Sequence, residues 1–246
     1  MLLESMWILV PAVALAGLLR GYTGFGFAAV AVVGMNLFLT PQQSIPVILG
    51  LDLLCSFPLW HQAVRQADMP TFKFLALGSL LGTPLGLWLL LLIPSEVLKL
   101  VICVSILVLC LLLAMNIRFR GTDKVAVKLG CGVLAGAATS GSSVGGPMVV
   151  CYMLSSALTP MTQRATMILF FVVSELIAMA AMFISGLVGV EVLTLVLILL
   201  FPTLLAVRGG QWLFNRYPPS SFKRFALPIM TLVALLGVSA AMKELI

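Results

Sequence analysis

Polar residues punctuate this chain at wide intervals and leave ten apolar runs between them. The runs fall at about residues 6–20, 25–39, 43–61, 72–92 and 95–115, and again at about 126–139, 144–158, 162–185, 190–214 and 220–242, five in each half. Blocks of this length predict helices in a bilayer, where a crossing needs roughly 20 apolar residues. The last three runs of each half are long enough to cross. The first two of each half are short of that length, so each short pair is read either as a re-entrant hairpin or as two broken, tilted helices. The expected fold is an all-α polytopic membrane protein.

The five-and-five pattern is an internal repeat. The stretch Gly17-Leu-Leu-Arg-Gly-Tyr-Thr-Gly-Phe-Gly-Phe27 returns 119 residues later as Gly136-Ala-Ala-Thr-Ser-Gly-Ser-Ser-Val-Gly-Gly146. At that offset Gly17 meets Gly136, Gly26 meets Gly145, and Thr40-Pro41 meets Thr159-Pro160. Five extra residues then move the offset to 124, where Gly86 meets Gly210, Trp88 meets Trp212, Pro94 meets Pro218 and Lys99 meets Lys223. Two of the chain's 4 tryptophans match in this way. The expected organisation is a first repeat over residues 1–117, a cytoplasmic linker over 118–125 and a second repeat over 126–246. An odd number of segments per half flips the second copy relative to the first, which predicts an inverted-topology repeat.

Composition fixes the class. With 62% hydrophobic and 9% charged residues and a mean hydropathy of +1.21, the chain is excluded from the soluble domains, whose charged fraction is about a quarter. The first run lacks a basic leader and a small-residue cleavage site and belongs to the repeat, so it is expected to stay in the mature protein. The net charge of +6 sits in short loops, where it sets orientation and gives no case for nucleic acid. A cytoplasmic linker places Arg65, Lys73, Arg118, Arg120, Lys124, Lys128, Arg164, Arg208, Arg216, Lys223 and Arg224 inside, eleven of the 14 basic residues. Both termini are then external, in a multi-pass membrane protein.

Five cysteines, Cys55, Cys103, Cys110, Cys131 and Cys151, lie within apolar runs without metal-ligand spacing, and the single His61 stands beside Gln62 at the polar end of a run. No metal site and no cofactor motif is read. Homo-oligomerisation is left open.

The candidate chemistry gathers at the two glycine-rich breaks. Paired interruptions of apolar runs in corresponding halves point to a transporter binding site. A break at membrane depth frees backbone N–H and C=O groups, each costing several kcal/mol unless protein, water or ligand satisfies it. The second short run of each half starts just after the glycines Gly24 and Gly26, or Gly145 and Gly146, so its N-terminal N–H groups and positive dipole end point into the break and favour an anion. Tyr22 and Thr23 in the first copy, and Thr139, Ser140, Ser142 and Ser143 in the second, add hydroxyl donors. Close packing of small residues is the alternative role for such a cluster.

Three charged residues lie at depth. Arg20 has a fork that suits a carboxylate or sulfonate, and it could equally pair with Asp52 or snorkel to an interface. Asp52 and Glu175 stand in the middle of long runs. Near an anion they must be protonated or paired, so they either couple proton movement or form ion pairs with Arg20 or Arg164. Gln43, Gln163 and Arg164 follow the repeated Thr-Pro and are placed as caps or as the lining of an entrance.

Breaks of this kind in both halves, each followed by a short run and Thr-Pro, resemble the TauE/SafE sulfite exporter family of bacterial membrane proteins, over nearly the whole chain and most closely over Gly17 to Pro41 and Gly136 to Pro160. The first break departs from the family in carrying Gly24-Phe-Gly-Phe27 where a richer glycine run is usual. The resemblance implies a small anionic substrate such as sulfite, sulfoacetate or a related organosulfonate, moved outward across the inner membrane. Proton-coupled uptake of another small organic anion is the alternative. A rival of another class, an intramembrane serine hydrolase built on Ser140-Gly-Ser-Ser143 and His61, needs a base within reach of the serine. A purely structural subunit has no use for two buried acids and two matching breaks.

Overall fold

The computed structural model describes residues 2–56, 60–115, 121–217 and 223–245. These form helices α1 (Leu2–Thr23), α2 (Phe27–Asn36), α3 (Pro41–Ser56), α4 (Trp60–Gln66), α5 (Met69–Leu92), α6 (Ser95–Ala114), α7 (Val125–Ser142), α8 (Gly146–Ser155), α9 (Pro160–Ile184), α10 (Val190–Arg216) and α11 (Lys223–Leu245). No strand occurs among the described residues. Linker residues Arg118 and Arg120, and the repeat position Pro218, lie outside them.

Helix boundaries recur with the sequence repeat. α1 ends at Thr23 and α7 at Ser142; α2 starts at Phe27 and α8 at Gly146; α2 ends at Asn36 and α8 at Ser155; α3 starts at Pro41 and α9 at Pro160. Each pair is separated by the same 119 positions. Local chemistry explains the starts. Proline stands in the first turn of α3, α5 and α9, where its missing N–H costs nothing, and Thr159 accepts a hydrogen bond from Thr162 N at 3.3 Å. α4 has no counterpart of its own in the second half, where α9 runs unbroken for 25 residues.

Six helices among the described residues are long and apolar enough to cross a membrane: α1, α5, α6, α7, α9 and α10. This corrects the expected lengths. The runs at 6–20 and 126–139 belong to helices of 22 and 18 residues, and only their partners α2 and α8, of 10 residues each, are short. Among the described residues α3 covers Pro41–Ser56 and the apolar stretch of α11 covers Leu227–Lys243, and neither is among the six.

Packing follows the repeat as well. α1 lies along α10 and α7 along α5, so each half's first helix packs on the other half's α5-type helix. Gly17 faces Thr203, and its counterpart Gly136 faces Ser79, which is itself the counterpart of Thr203. Farther along, Gly21 meets Gly210 while Ser140 meets Gly86, again two images of one contact. Numbers rise together along both seams, so these helices run parallel. In contrast, Cys103 lies against Gly237, and Cys110 pairs with Thr231, so the counterparts α6 and α11 run antiparallel. α3 and α9 do the same, with Gly50 against Met179 and Asp52 against Glu175.

The core sits where α2 and α3 pass through this frame. Phe27, Val32, Met35, Ile45, Ile48 and Leu49 are buried there, while Leu81, Leu92, Leu197 and Phe201 point outward from α5 and α10. An apolar exterior of this kind faces lipid in a membrane helix.

Candidate functional site

Both breaks are built from backbone geometry that the sequence supplies. After Thr23, Gly24 turns with φ 84° and Gly26 with φ 88°, and α2 begins. After Ser142, Ser143 turns with φ 55°, and α8 begins three residues later. The left-handed region costs an L-residue roughly 1–2 kcal/mol, which explains glycine at the first site. Thr23 fastens the first turn, its hydroxyl bonding the Leu19 and Phe25 carbonyls, both at 2.8 Å.

The breaks open into one cavity, lined by Arg20, Phe25, Gly26, Ala28, Ala29, Asp52, Thr139, Ser143, Val144, Gly146, Pro147, Phe171, Ser174 and Glu175. Projected through the repeat, Arg20 pairs with Thr139, Phe25 with Val144, Ala28 with Pro147 and Asp52 with Phe171, so corresponding positions of both halves make the wall. The starts of α2 and α8 both stand in it. Thr139, Ser143 and Ser174 supply hydroxyls.

Charge enters where the copies differ. Arg20 on α1 is 8% exposed, and its Nη1 lies 2.9 Å from Asp52 Oδ1 and donates to Oδ2 at 3.2 Å. Its Nη2 donates to Ser56 Oγ, and that hydroxyl donates to the Asp52 carbonyl at 2.7 Å. The guanidinium is thus held by α3, one of the arrangements the sequence left open. Glu175 on α9, at the position matching Ser56, is 5% exposed and interacts side chain to side chain with Asp52. Its Oε2 is buried with no hydrogen-bond partner.

Tyr22, Gly24, Ser140, Ser142 and Gly145 are not part of the cavity wall. Tyr22 donates to the Tyr217 carbonyl at 3.0 Å, and its ring meets Phe214 edge to face. Ser140 is wedged between α7 and α5, donating to the Thr83 carbonyl at 2.9 Å. Ser142 donates to the Ala138 carbonyl at 2.7 Å, and Ser143 to the Ser142 carbonyl at 2.7 Å. These three serines donate to backbone carbonyls, and His61 is exposed on α4, an arrangement that offers no serine–histidine pair. Gly145 packs against Thr139 and the Ala135 carbonyl, and Gly24 stands beside Arg164.

Gln43 bonds back to the Thr40 N–H at 3.3 Å, and Gln163 to the Leu158 carbonyl at 3.0 Å. Both have capping partners. Arg164 is exposed, with its guanidinium 5.5 Å from the centre of the Phe214 ring. It does not pair with Asp52, which Arg20 holds instead.

Sequence reasoning missed Phe25, Ala28, Ala29, Val144, Pro147, Phe171 and Ser174. The repeat carried the signal for two of them: Phe171 is the counterpart of Asp52, and Ser174 of Cys55.

Helical spans around a cavity with Arg20, Asp52 and Glu175 in its wall define a multi-pass membrane protein of transporter type. The chain belongs to the sulfite exporter TauE/SafE family, whose sequence pattern matches residues 9–236. Neither the curated proteins nor the solved structures contain a significant match to it.

Proposed function

We propose that this chain moves a small sulfur-containing anion, such as sulfite, sulfoacetate or a related organosulfonate, outward across a bacterial inner membrane by alternating access, binding it between the two breaks. The observation that carries this reading is the meeting of two short-helix N-termini in one cavity furnished with hydroxyls and an arginine. Unpaired N–H groups at the starts of α2 and α8, with the dipole behind them, favour negative charge. Thr139, Ser143 and Ser174 add hydroxyls that bond the Ala135 and Ser142 carbonyls and Ser79 and become neutral donors to an anion by rotating away from them, and Arg20 adds the fork that fits a sulfonate. Phe25 and Phe171 give an organic tail an apolar wall.

The halves 1–117 and 126–246 act in this scheme as inverted repeats rocking about the cavity, which the antiparallel counterparts α6/α11 and α3/α9 favour. An inside-negative potential of about 100 mV helps a bare anion outward by roughly 2.3 kcal/mol per charge. A second reading, proton-coupled uptake of a small organic anion, is favoured by the two carboxyl groups in the cavity wall.

The test is flux in proteoliposomes against sulfite, sulfoacetate, taurine and simple carboxylates. Sulfur oxyanions are expected to move best. Arg20→Lys keeps the charge but loses the fork and should weaken transport severalfold, and Arg20→Ala should nearly abolish it. Absence of flux for every anion in the panel sinks the reading, and wild-type flux in Arg20→Ala removes Arg20 from the site.

A further inference from the structure

In the cavity wall the guanidinium fork of Arg20 is already occupied. Asp52 holds Nη1, and Ser56 takes Nη2. Of the five N–H donors of the guanidinium, those on the Nη1–Nη2 edge are taken, so an anion that binds along this edge takes the place of the Asp52 carboxylate. Asp52 is 4% exposed, so a displaced carboxylate loses its cation without gaining the hydration of bulk solvent. Its nearest acidic neighbour is Glu175, whose Oε2 is also buried without a partner. Two carboxylates side by side with their cation removed repel strongly in a medium of low dielectric constant. Leaving a buried charge uncompensated is among the costliest single changes a protein can suffer.

We infer that Asp52 is a built-in stand-in for the transported anion, and that each monovalent anion displacing it from Arg20 brings one proton onto the Asp52–Glu175 pair. This rests on the anion site proposed above and deepens it. The balance is simple: the anion replaces the carboxylate on the guanidinium, the freed pair gains H⁺ from solvent, and the cluster's net charge is unchanged. The proton belongs to the pair, because tightly coupled groups share their titration.

The charged and titratable groups facing Glu175 are Asp52 and the Cys55 thiol from α3 and Arg20 from α1. Among the described residues, no titratable side chain of α4, α5, α7 or α8 lines the cavity. The one-cation, two-acid count is therefore the count that anion binding perturbs. An anion carried with a proton crosses without net charge. Its movement then follows the anion and pH gradients in place of the potential: an acid exterior favours uptake, and export proceeds when the anion accumulates inside.

Methanesulfonate is a suitable probe, since it carries one charge and takes up no proton itself near neutral pH. Its binding to the purified full-length protein is to be measured by calorimetry in buffers of different ionisation enthalpy between about pH 5 and pH 8. Expected is uptake approaching one proton per methanesulfonate where the pair changes state, with affinity falling up to about tenfold per pH unit there. Asp52→Asn removes the tethered competitor, so methanesulfonate should bind more tightly than to wild type at the alkaline end, with proton uptake lost. Should Asp52→Asn fail to fold, the wild-type proton count alone decides. Binding without proton uptake across the range overturns the inference and leaves the anion site standing. No binding, together with no flux across the anion panel, removes the anion site and this inference with it.

Discussion

Gly24 and Ser143 hold the same place in the two copies and share the left-handed backbone conformation, with φ of 84° and 55°. One break therefore uses a residue free to adopt that conformation, and the other uses a residue that adopts it at a cost. The repeat preserves the turn while the residue in it changes.

The first prediction follows from that difference. Ser143→Gly should raise the thermal stability of the purified protein by about 0.5–1 kcal/mol, and Gly24→Ala should lower it by about 1–2 kcal/mol. Melting curves in detergent check both. Equal melting temperatures for wild type and Gly24→Ala would mean that the turn relaxes at no cost.

Packing gives the second. A Cβ on Gly86 would run into the Ala137 carbonyl and Ser140, and one on Gly210 into the Leu18 carbonyl and Gly21. Gly86→Ala and Gly210→Ala should each destabilise by about 1–3 kcal/mol, as overpacking does. A methyl group added at Gly130 on α7 would meet nothing within 4 Å, so Gly130→Ala should be neutral or stabilising by up to about 1 kcal/mol. Matched losses in the first two and none in the third, read from folded yield and melting, test the seam.

The buried ion pair gives the third. Removing one partner strands the other, so Asp52→Ala and Arg20→Ala should each cost about 3–5 kcal/mol, while the double variant should cost well under their sum. A thermodynamic cycle on the four proteins measures the coupling. Additive losses would show that Arg20 and Asp52 do not sense one another.

Topology gives the last. Trp88 and Trp212 are counterparts in the repeat, are 61% and 62% exposed, and stand near the ends of α5 and α10. In an inverted repeat they belong to opposite interfacial belts. Single-tryptophan variants in oriented vesicles should be quenched by an impermeant agent from opposite sides, and a C-terminal reporter should be active outside. Quenching of both from one side would contradict the inversion.

Much of this was legible in the sequence because it rests on local chemistry. Glycine sites mark Gly24 and Gly26, Thr-Pro marks the starts of α3 and α9, and the spacing between copies survives intact in the helix ends. What misled was the polar end of α1. Hydropathy places the end of the first run near residue 20, yet the helix continues to Thr23 because its polar side chains are satisfied by protein: Arg20 by Asp52 and Ser56, Tyr22 by the Tyr217 carbonyl and Thr23 by the Leu19 carbonyl. Hydropathy reports suitability for lipid and is blind to partners inside the bundle.

The sequence by itself determined the membrane class, the two-copy organisation and the positions of both breaks, since hydrophobicity, backbone preference and repetition are written residue by residue. Only the tertiary structure decided which polar groups meet. Arg20 is 32 residues from Asp52, and Glu175 comes from the other half of the chain. Whether these three share one cavity depends on how α1, α3 and α9 are rotated and crossed. That is set by close packing along every helix seam at once, so no local stretch of sequence contains it.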